Sequence, residues 1–281
     1  MTGVYVFLGP TLPAAAARAE LDAEYLPPVS AGDVCRIGEL RPRAIGIVDG
    51  CGEGGQAVWH KEILWAMERG VHVFGAAAIG ALRAVELASF GMRGAGWVYR
   101  AFSDGTLDRD DEIAVAWEPG PGGYLNLSEA MVSIRRTLGA ARDSGVIRAA
   151  THDTLVATGA ATFYPGRTWP ALLATATAAG ADPAELDALR RWLPAGRIDQ
   201  QAADAVAMLR EMRAFLAAGL RPQRVAWTTA PTTRWDTLYR YVTSRPRSAM
   251  PERLADCPQP PEPPAHKRFV DGDSRDCCIS R

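Results

Sequence analysis

The sequence predicts an α/β protein, with a parallel-sheet N-terminal domain followed by a mostly helical C-terminal lobe and a Pro-rich tail. Three short apolar runs, each ending in a glycine-containing turn, indicate the sheet: residues 4–8, 44–48 and 71–74. Helical patterns cover 59–69, between the last two runs, and 80–90, after them. Short apolar strands that alternate with helices are typical of a parallel sheet covered on both faces.

The second half of the chain has a different pattern. Residues 112–117 are predicted as one more strand, after which the prolines and glycines of 119–123 break the pattern. Helical periodicity then dominates, over 128–142, 183–192 and 200–217. We therefore predict three parts of the chain: an α/β core over 1–120, a helical lobe over 125–242 and a tail over 243–281.

The tail is predicted to be disordered because proline is dense within it. Seven prolines fall between residues 245 and 264. Such a density opposes regular hydrogen-bonded structure.

Composition and charge exclude several classes of protein. Lys plus Arg is 31 and Asp plus Glu is 32, so the net charge is -1 and no basic surface for nucleic acid or membrane is indicated. No apolar run is long enough to span a bilayer, and Met1-Thr2-Gly3 lacks the basic start of a signal peptide. Five cysteines without a CxxC pair indicate free thiols and no zinc site. We expect a cytoplasmic protein with no metal, no cofactor, no nucleic-acid partner and no membrane partner.

The ends of the predicted strands form the first candidate site. Ligands of parallel sheets bind outside the carboxyl ends of the strands. Here those ends are Gly9-Pro10-Thr11, Asp49-Gly50-Cys51 and the run from Gly75 to Ala78. Their small residues would let a ligand approach the backbone, although glycine is also common in ordinary strand-to-helix turns.

The helix that begins near Trp59 supplies the second candidate. Placed at 100° steps, His60 falls on the apolar side of this helix, whereas Lys61 faces solvent. An inward histidine close to strand ends can act as a general acid or base, and the alternative is a core histidine with a satisfied ring. Glu62 is in the first turn, where a carboxylate also suits the helix dipole.

The third candidate runs from Gly75 to Glu86. The spacing of Gly75 and Gly80 resembles a phosphate loop, but Ala81-Leu82 replaces the lysine and hydroxyl that such a loop requires, so ATP binding is not expected. Arg83 and Glu86 are three residues apart and can form an ion pair. That pair is either structural, or it places Arg83 near an anion at the helix N-terminus.

Two further groups have weaker signals. The acidic run 108–112 could hold magnesium, or could be a solvated loop before a strand. Cys51 could be a nucleophile paired with His60, or a small buried thiol.

Several short segments, in this order, together resemble one family, the TfuA-like proteins, over Val4 to Arg135. These segments are Phe7-x-Gly9-Pro10, Pro27-Pro28, Gly32-Asp33, Ile47-Val48-Asp49-Gly50, Trp59-His60-Lys61-Glu62-Ile63-Leu64, Gly75-Ala76-Ala77, Gly80-Ala81-Leu82-Arg83-Ala84, Glu86-Leu87, Gly91-Met92, Asp110-Asp111-Glu112 and Leu127-Ser128-Glu129-Ala130-Met131-Val132 with Arg135.

The resemblance implies a role in making ribosomally synthesised, modified peptides. TfuA-like proteins accompany YcaO enzymes, which use ATP to activate a backbone amide whose oxygen is replaced by sulfur. The implied partners are a YcaO protein, a sulfur-carrier protein or other sulfur donor, and a ribosomal precursor peptide. The implied function is to help deliver sulfide, for instance by hydrolysing a thiocarboxylated carrier. The alternatives are a non-catalytic docking module and a hydrolase or transferase for an unrelated acyl substrate.

This function would use the candidate residues in two roles. His60 would activate water or protonate the leaving sulfide, and Arg83 would face the thiocarboxylate. The expected catalytic residues are His60, Arg83, Glu62 and Asp49. The expected substrate-binding residues are Gly9, Pro10, Gly75, Ala76, Ala77, Ala78, Gly80, Lys61 and Glu86.

The chain departs from the family pattern at two places. Ala78-Ile79 stands where many relatives carry Ser-Met, and Trp117 stands where relatives often have histidine. Without that serine, the chain would use water directly, be an inactive scaffold, or be a substituted sequence.

Overall fold

Five parallel strands form the central sheet of the protein. The computed structural model describes residues 3–51, 55–120, 123–219 and 221–244. Within them the strand order is β2-β1-β3-β4-β5 and every pairing in this sheet is parallel. The strands are β1 Val4–Phe7, β2 Glu24–Leu26, β3 Ala44–Ile47, β4 His72–Ala76 and β5 Arg93–Ala95.

Five helices connect or follow these strands, and they cover both faces. They are α1 Ala14–Glu20, α2 Asp33–Gly38, α3 His60–Glu68, α4 Ile79–Leu87 and α5 Gly96–Ser103. One apolar core contains Phe7, Ile45 and Ile47 of the sheet with residues of α2, α3 and α4. A second core contains Val6, Val48 and Phe74 with α1 on the opposite face. The prediction of a parallel sheet covered on both faces is confirmed.

The strand order creates one topological switch point, between β1 and β3. After β1 the chain moves outward to β2, and it then returns to the other side of β1 to form β3. The loops that follow β1 and β3 therefore diverge and leave a crevice at the carboxyl ends of these strands. Gly9 and Asp49 lie at this position.

The chain after α5 is mostly helical, as predicted. A 3-10 turn, Asp110–Ile113, precedes the antiparallel hairpin of β6 Trp117–Gly120 and β7 Gly123–Asn126. Four helices share a separate apolar core: α6 Met131–Asp143, α7 Ala149–Ala161, α8 Trp169–Ala178 and α9 Pro183–Gly196.

The last two helices return to the sheet. Helix α10, Gln200–Ala217, places Met208 and Met212 against Gly46 of β3. Helix α11, Thr233–Thr243, packs on α2. It contributes Trp235 and Val242 to the apolar core that lies between the sheet and α2, α3 and α4. The boundaries of the predicted domains stay a prediction. Of the predicted disordered tail, 243–281, Thr243 belongs to α11 and Ser244 to the turn after it, and 245–281 lies outside the described residues. In the described ranges, no helix is long and apolar enough to cross a membrane.

The predicted strand over 112–117 is wrong at its start. Glu112 is buried and its backbone N–H bonds the carbonyl of Arg109, which closes a turn instead of joining a sheet. Its carboxylate accepts hydrogen bonds from Arg135 Nε and Nη2. The ion pair fixes this turn against α6, so the strand begins only at Trp117.

Two glycines allow α4 to approach the sheet at backbone distance. A Cβ on Gly80 would lie 1.8 Å from the carbonyl oxygen of Ile47, and a Cβ on Gly75 would lie 2.0 Å from that of Gly80. The N–H of Gly80 donates to the carbonyl of Val48 at 3.2 Å. A side chain at either position would push the start of α4 away from β3 and β4.

We expect Gly80→Ala to lower the free energy of unfolding by about 3 kcal/mol, because the new methyl group would overlap main-chain atoms that cannot move aside. Urea denaturation measures the change. The matched control is Gly139→Ala in α6, where a Cβ meets nothing within 4 Å. That change should stabilise the protein by about 0.5–1 kcal/mol. Equal stability of Gly80→Ala and wild type would contradict the proposed close contact.

Candidate functional site

Asp49 lies at the switch point and is buried. Its Oδ2 accepts from the N–H of Gly9 at 2.7 Å and of Thr11 at 3.2 Å, and its Oδ1 accepts from the Thr11 hydroxyl at 2.6 Å. Burial raises the pKa of Asp49 to about 6, against the opposing effect of these hydrogen bonds. The carboxylate therefore holds the loop after β1 against the end of β3.

A strained turn joins β4 to α4. Ala77 has φ +65°, and the N–H of Ala78 donates to the carbonyl of Ala76 at 2.8 Å. Together these features describe a γ-turn of the rarer, more strained kind. Gln201 of α10 is buried and its side-chain amide donates to the carbonyls of Ala77 and Ile113. The side-chain amide of Gln201, which is distant in sequence, thus stabilises the strained residue Ala77 through a hydrogen bond to its carbonyl.

Only part of this turn can touch a ligand. Gly75, Ala76, Ala77 and Gly80 are buried, whereas Ala78 and Ile79 are partly exposed. The space beside Gly75 and Gly80 is filled by the protein's own backbone. Of the residues predicted to bind substrate here, Ala78 is therefore the one that faces outward.

A cleft of about 470 Å³ opens beside Gly9 and Pro10. Tyr25 and Pro27 line one side, and Tyr124 of the hairpin lines the other. The side-chain amide of Asn126 donates to the carbonyl of Pro10 at 3.3 Å and fastens the hairpin over this edge. The predicted residues Gly9 and Pro10 thus lie in a mostly apolar cleft that the hairpin covers.

A polar cluster forms where α3 meets α4. Glu86 Oε2 lies 2.7 Å from His60 Nε2 and 2.6 Å from Arg83 Nη1. Arg83 Nε donates to the carbonyl of Val58 at 3.2 Å, and Arg83 Nη1 lies 3.5 Å from His60 Nε2. The predicted Arg83–Glu86 ion pair is confirmed.

The prediction that His60 points inward is wrong. Its side chain is 47% exposed and that of Glu86 is 42% exposed, whereas Arg83 is only 13% exposed. His60 begins α3, and it turns toward Glu86 on the neighbouring helix instead of the core. The helical period correctly groups the apolar residues, but it carries no information about a partner on another helix.

The electrostatics of the cluster favour an ionised Glu86. Burial acts to raise its pKa, but hydrogen bonds from His60 and Arg83 prevail and lower it. Arg83 uses Nη1 and Nε, and in the described residues its Nη2 has no hydrogen-bond partner. The cluster therefore offers a half-exposed imidazole held by a carboxylate, and a guanidinium with one free edge.

The cluster and the strained turn belong to one face of α4. Ile79, Arg83 and Glu86 are spaced at i, i+4 and i+7, so they form a single stripe along the helix. The stripe begins at Ile79, next to the strained turn, and ends at Glu86, which contacts His60. A bound peptide of a few residues could therefore contact both the turn and the polar cluster.

Glu62 and Lys61 lie apart from this stripe. Glu62 is fully buried, where Oε2 accepts from the N–H of Gly32 at 2.7 Å and Oε1 from that of Trp59 at 3.2 Å. Burial raises the pKa of Glu62 to about 7. Lys61 Nζ donates to the Thr232 hydroxyl at 3.1 Å. Glu62 thus joins the start of α3 to the start of α2, and Lys61 faces the segment before α11.

The acidic run and Cys51 have other contacts. Asp111 accepts from Arg167, which is almost fully buried, at 2.6 Å, and Glu112 pairs with Arg135. No group of residues suited to a metal ion occurs in the part of the chain that the structure describes. Cys51 is partly exposed, with its sulfur against the Ser30 hydroxyl and 3.6 Å from the carbonyl of Pro28.

One contributor to the site, Gln201, was not predicted from the sequence. Gln201 reaches the turn across 124 positions of sequence, so no local motif could reveal it. Its one signal is an amide in the first turn of a helix that otherwise packs apolar residues on the sheet. Thr11, which the sequence places with Gly9 and Pro10 at the first strand end, bonds Asp49 through both its hydroxyl and its N–H.

Comparison with known protein families matches residues 49–168 to the family described as TfuA-like protein. The chain is TfuA-like over this segment. The resemblance predicted from its motifs is confirmed, and TfuA-like proteins are associated with YcaO thioamidation systems. The comparison with curated proteins gave no match.

The TfuA-like segment contains most of the site just described. It begins at Asp49 and includes His60, the strained turn, Arg83 and Glu86. Strands β1, β2 and β3 precede it, and α10, which contains Gln201, follows it. The site is therefore completed by parts of the chain on both sides of the matched segment.

We expect the free energy of unfolding to fall as pH rises from about 5 to about 8. Burial raises the pKa of Asp33 and Asp49 to about 6 and that of Glu62 to about 7, each above its value in an unfolded chain. The folded state therefore holds these protons more tightly than the unfolded chain, which stabilises it at low pH. This contribution to the free energy of unfolding is lost as the pH rises through the raised pKa values. Chemical denaturation across this range measures the slope.

The variant Glu62→Gln should flatten this pH dependence because it removes one titrating carboxyl. The control Glu118→Gln changes an exposed carboxyl of the hairpin and should leave the slope as in wild type. A Glu62→Gln slope as steep as that of wild type would show that Glu62 does not titrate in this range.

Proposed function

We propose that this protein serves YcaO-dependent peptide backbone thioamidation by releasing sulfide from a thiocarboxylated sulfur-carrier protein. The reaction is RCOS⁻ + H₂O → RCOO⁻ + H₂S, in which water replaces sulfur on the carbonyl carbon. The observation that carries the proposal is the cluster of His60, Arg83 and Glu86 inside the TfuA-like segment. The proposed partners are a YcaO protein, the sulfur carrier and the precursor peptide.

Arg83 supplies the anion-binding group. Its Nη1 is held by Glu86 and its Nε by the carbonyl of Val58, so the guanidinium has a fixed orientation. The free Nη2 edge can donate to the thiocarboxylate and to the oxygen that gains charge as water adds. The partial positive charge at the start of α4 acts in the same direction.

His60 supplies the proton-transfer group. With the Nε2 proton donated to Glu86, Nδ1 carries a lone pair that can take a proton from the attacking water. The C–S bond then breaks, and the imidazolium returns this proton to the leaving sulfide. A carrier's flexible C-terminal tail can reach this cluster because His60 and Glu86 are nearly half exposed.

The buried carboxylates have positioning roles in this proposal. Glu62 accepts from the N–H of Trp59 and so fixes the first turn of α3, which carries His60. Asp49 holds the loop of Gly9 and Thr11, beside the cleft that could receive the residues before the thiocarboxylate. In this proposal neither carboxylate contacts the reacting carbon.

We expect His60→Ala and Arg83→Ala each to reduce sulfide release by about tenfold or more, because one removes the general base and the other the anion-binding group. Release from a thiocarboxylated carrier protein is followed with a sulfide-reactive dye. The matched controls, His152→Ala and Arg190→Gln, change residues of α7 and α9 that lie outside the cluster, and they should leave the rate unchanged. Wild-type rates in both cluster variants would rule out this catalytic role.

The absence of a hydroxyl at Ala78 favours a second candidate, a docking module without catalysis. Ala78 is the partly exposed residue of the strained turn, where many relatives have serine. In the hydrolytic proposal water attacks directly, so Ala78→Ser should change sulfide release by less than about threefold. A gain of about tenfold or more would indicate that serine performs this step and that the present chain is a docking module.

A further inference from the structure

Two adjoining clefts lie at the opposite, amino edge of the sheet. The larger, of about 860 Å³, is open and is lined by Met92, Arg93 and Phe215 among others. The smaller, of about 440 Å³, is lined by Arg41, Arg43 and Arg69 among others. They meet at three shared residues: His72, Phe215 and Arg221. We call them together the amino-edge cleft.

Positive charge is concentrated in this cleft. Five arginines line it although the chain as a whole has a net charge of -1. Only one of the five, Arg69, has a carboxylate within 4.0 Å in the described residues, at 3.5 Å from Glu39. The four without one are Arg41, Arg43, Arg93 and Arg221, and three of these, all except Arg43, are exposed.

Structural roles account for only part of this charge. Arg43 Nη2 donates to the carbonyl of Leu216 in the last turn of α10, where a cation suits the helix dipole. Arg93 lies over the ring of Phe215 at 4.4 Å, which orients its guanidinium but leaves its donors available. The guanidinium groups of Arg41 and Arg221 have no hydrogen-bond acceptor in the described residues. The cleft thus contains arginine guanidinium groups for which the described contacts give no structural role.

The floor of the cleft is apolar. Phe215 and Met92 line the larger part, and Leu216 and Pro222 line the smaller. Phe215 is partly exposed and its ring packs edge-on against His72 at 4.7 Å and Phe74 at 5.2 Å. Apolar side chains can therefore bury surface here while carboxylates reach the arginines on the rim.

We propose that the amino-edge cleft binds an acidic peptide segment of a protein partner, with apolar residues between its carboxylates. Arginine recognises carboxylates through paired N–H donors, and an apolar floor adds affinity that a purely ionic contact lacks. Nucleic acid suits the cleft less well because its floor is apolar and the chain as a whole carries a net charge of -1. The proposal does not depend on the sulfur chemistry at the carboxyl edge.

The test uses a fluorescein-labelled twelve-residue peptide that alternates Glu and Asp with Leu and Phe. Fluorescence anisotropy should show saturable binding to the full chain, weakening as salt screens the charges. The same peptide with Gln and Asn in place of its acids should bind at least about tenfold more weakly. Failure of the acidic peptide to bind wild type would overturn the proposal.

Two variants locate the binding site. Arg41→Gln/Arg221→Gln should raise the Kd of the acidic peptide by about tenfold or more, because two rim cations are lost. Neither side chain has a structural bond in the described residues, so the melting temperature should stay near that of wild type. The matched control is Arg191→Gln, an exposed arginine of α9 without a carboxylate partner in the described residues, and it should bind like wild type.

Two results would contradict the assignment. An unchanged Kd in the double variant would place the peptide elsewhere on the surface. Displacement of the peptide by a twelve-nucleotide oligothymidylate at equal or lower concentration would show that the cleft selects negative charge alone and not an acidic peptide.

Discussion

The main-chain contact between α4 and the sheet determines where every other part of the carboxyl-edge site can lie. Gly80 sits so close to the carbonyl of Ile47 that no side chain fits between them. This contact forces β4 to turn sharply into α4, and Ala77 takes a positive φ within that turn. It also sets the rotation of α4 that presents Arg83 and Glu86 to α3.

Buried carboxylates then hold the loops around this contact. Asp49 binds the loop after β1, Glu62 binds the starts of α2 and α3, and Asp204 accepts from the N–H groups of Trp97 and Val98 at the start of α5. Glu62 and Asp204 accept main-chain N–H groups at helix starts, which have no carbonyl partner within the helix, and Asp49 accepts N–H groups of the loop before α1. The cluster on α3 and α4 is built differently, since Glu86 there binds two side chains, and one of them, that of His60, is nearly half exposed.

Sequence patterns predicted what depends on local periodicity. Strands β1, β3 and β4 and the bounds of α10 follow directly from apolar runs and helical spacing, and the Arg83–Glu86 pair follows from their separation. The three-residue strands β2 and β5 were missed because such short segments have no measurable period. The orientation of His60 and the hydrogen bond from Gln201 to Ala77 depend on partners in other helices. Such contacts are properties of the folded chain, and no single segment encodes them.

Helix α10 contacts both the carboxyl-edge candidate site and the amino-edge cleft. Its 18 residues span about 27 Å. Gln201, at its first turn, holds the carbonyl of Ala77, and Leu216, at its last turn, accepts from Arg43 in the amino-edge cleft. Between these ends Met208 and Met212 pack against β3 at Gly46, which has no side chain. A small shift of α10 along its axis would therefore change two contacts together: that of Gln201 with the strained turn and that of Leu216 with Arg43 in the amino-edge cleft.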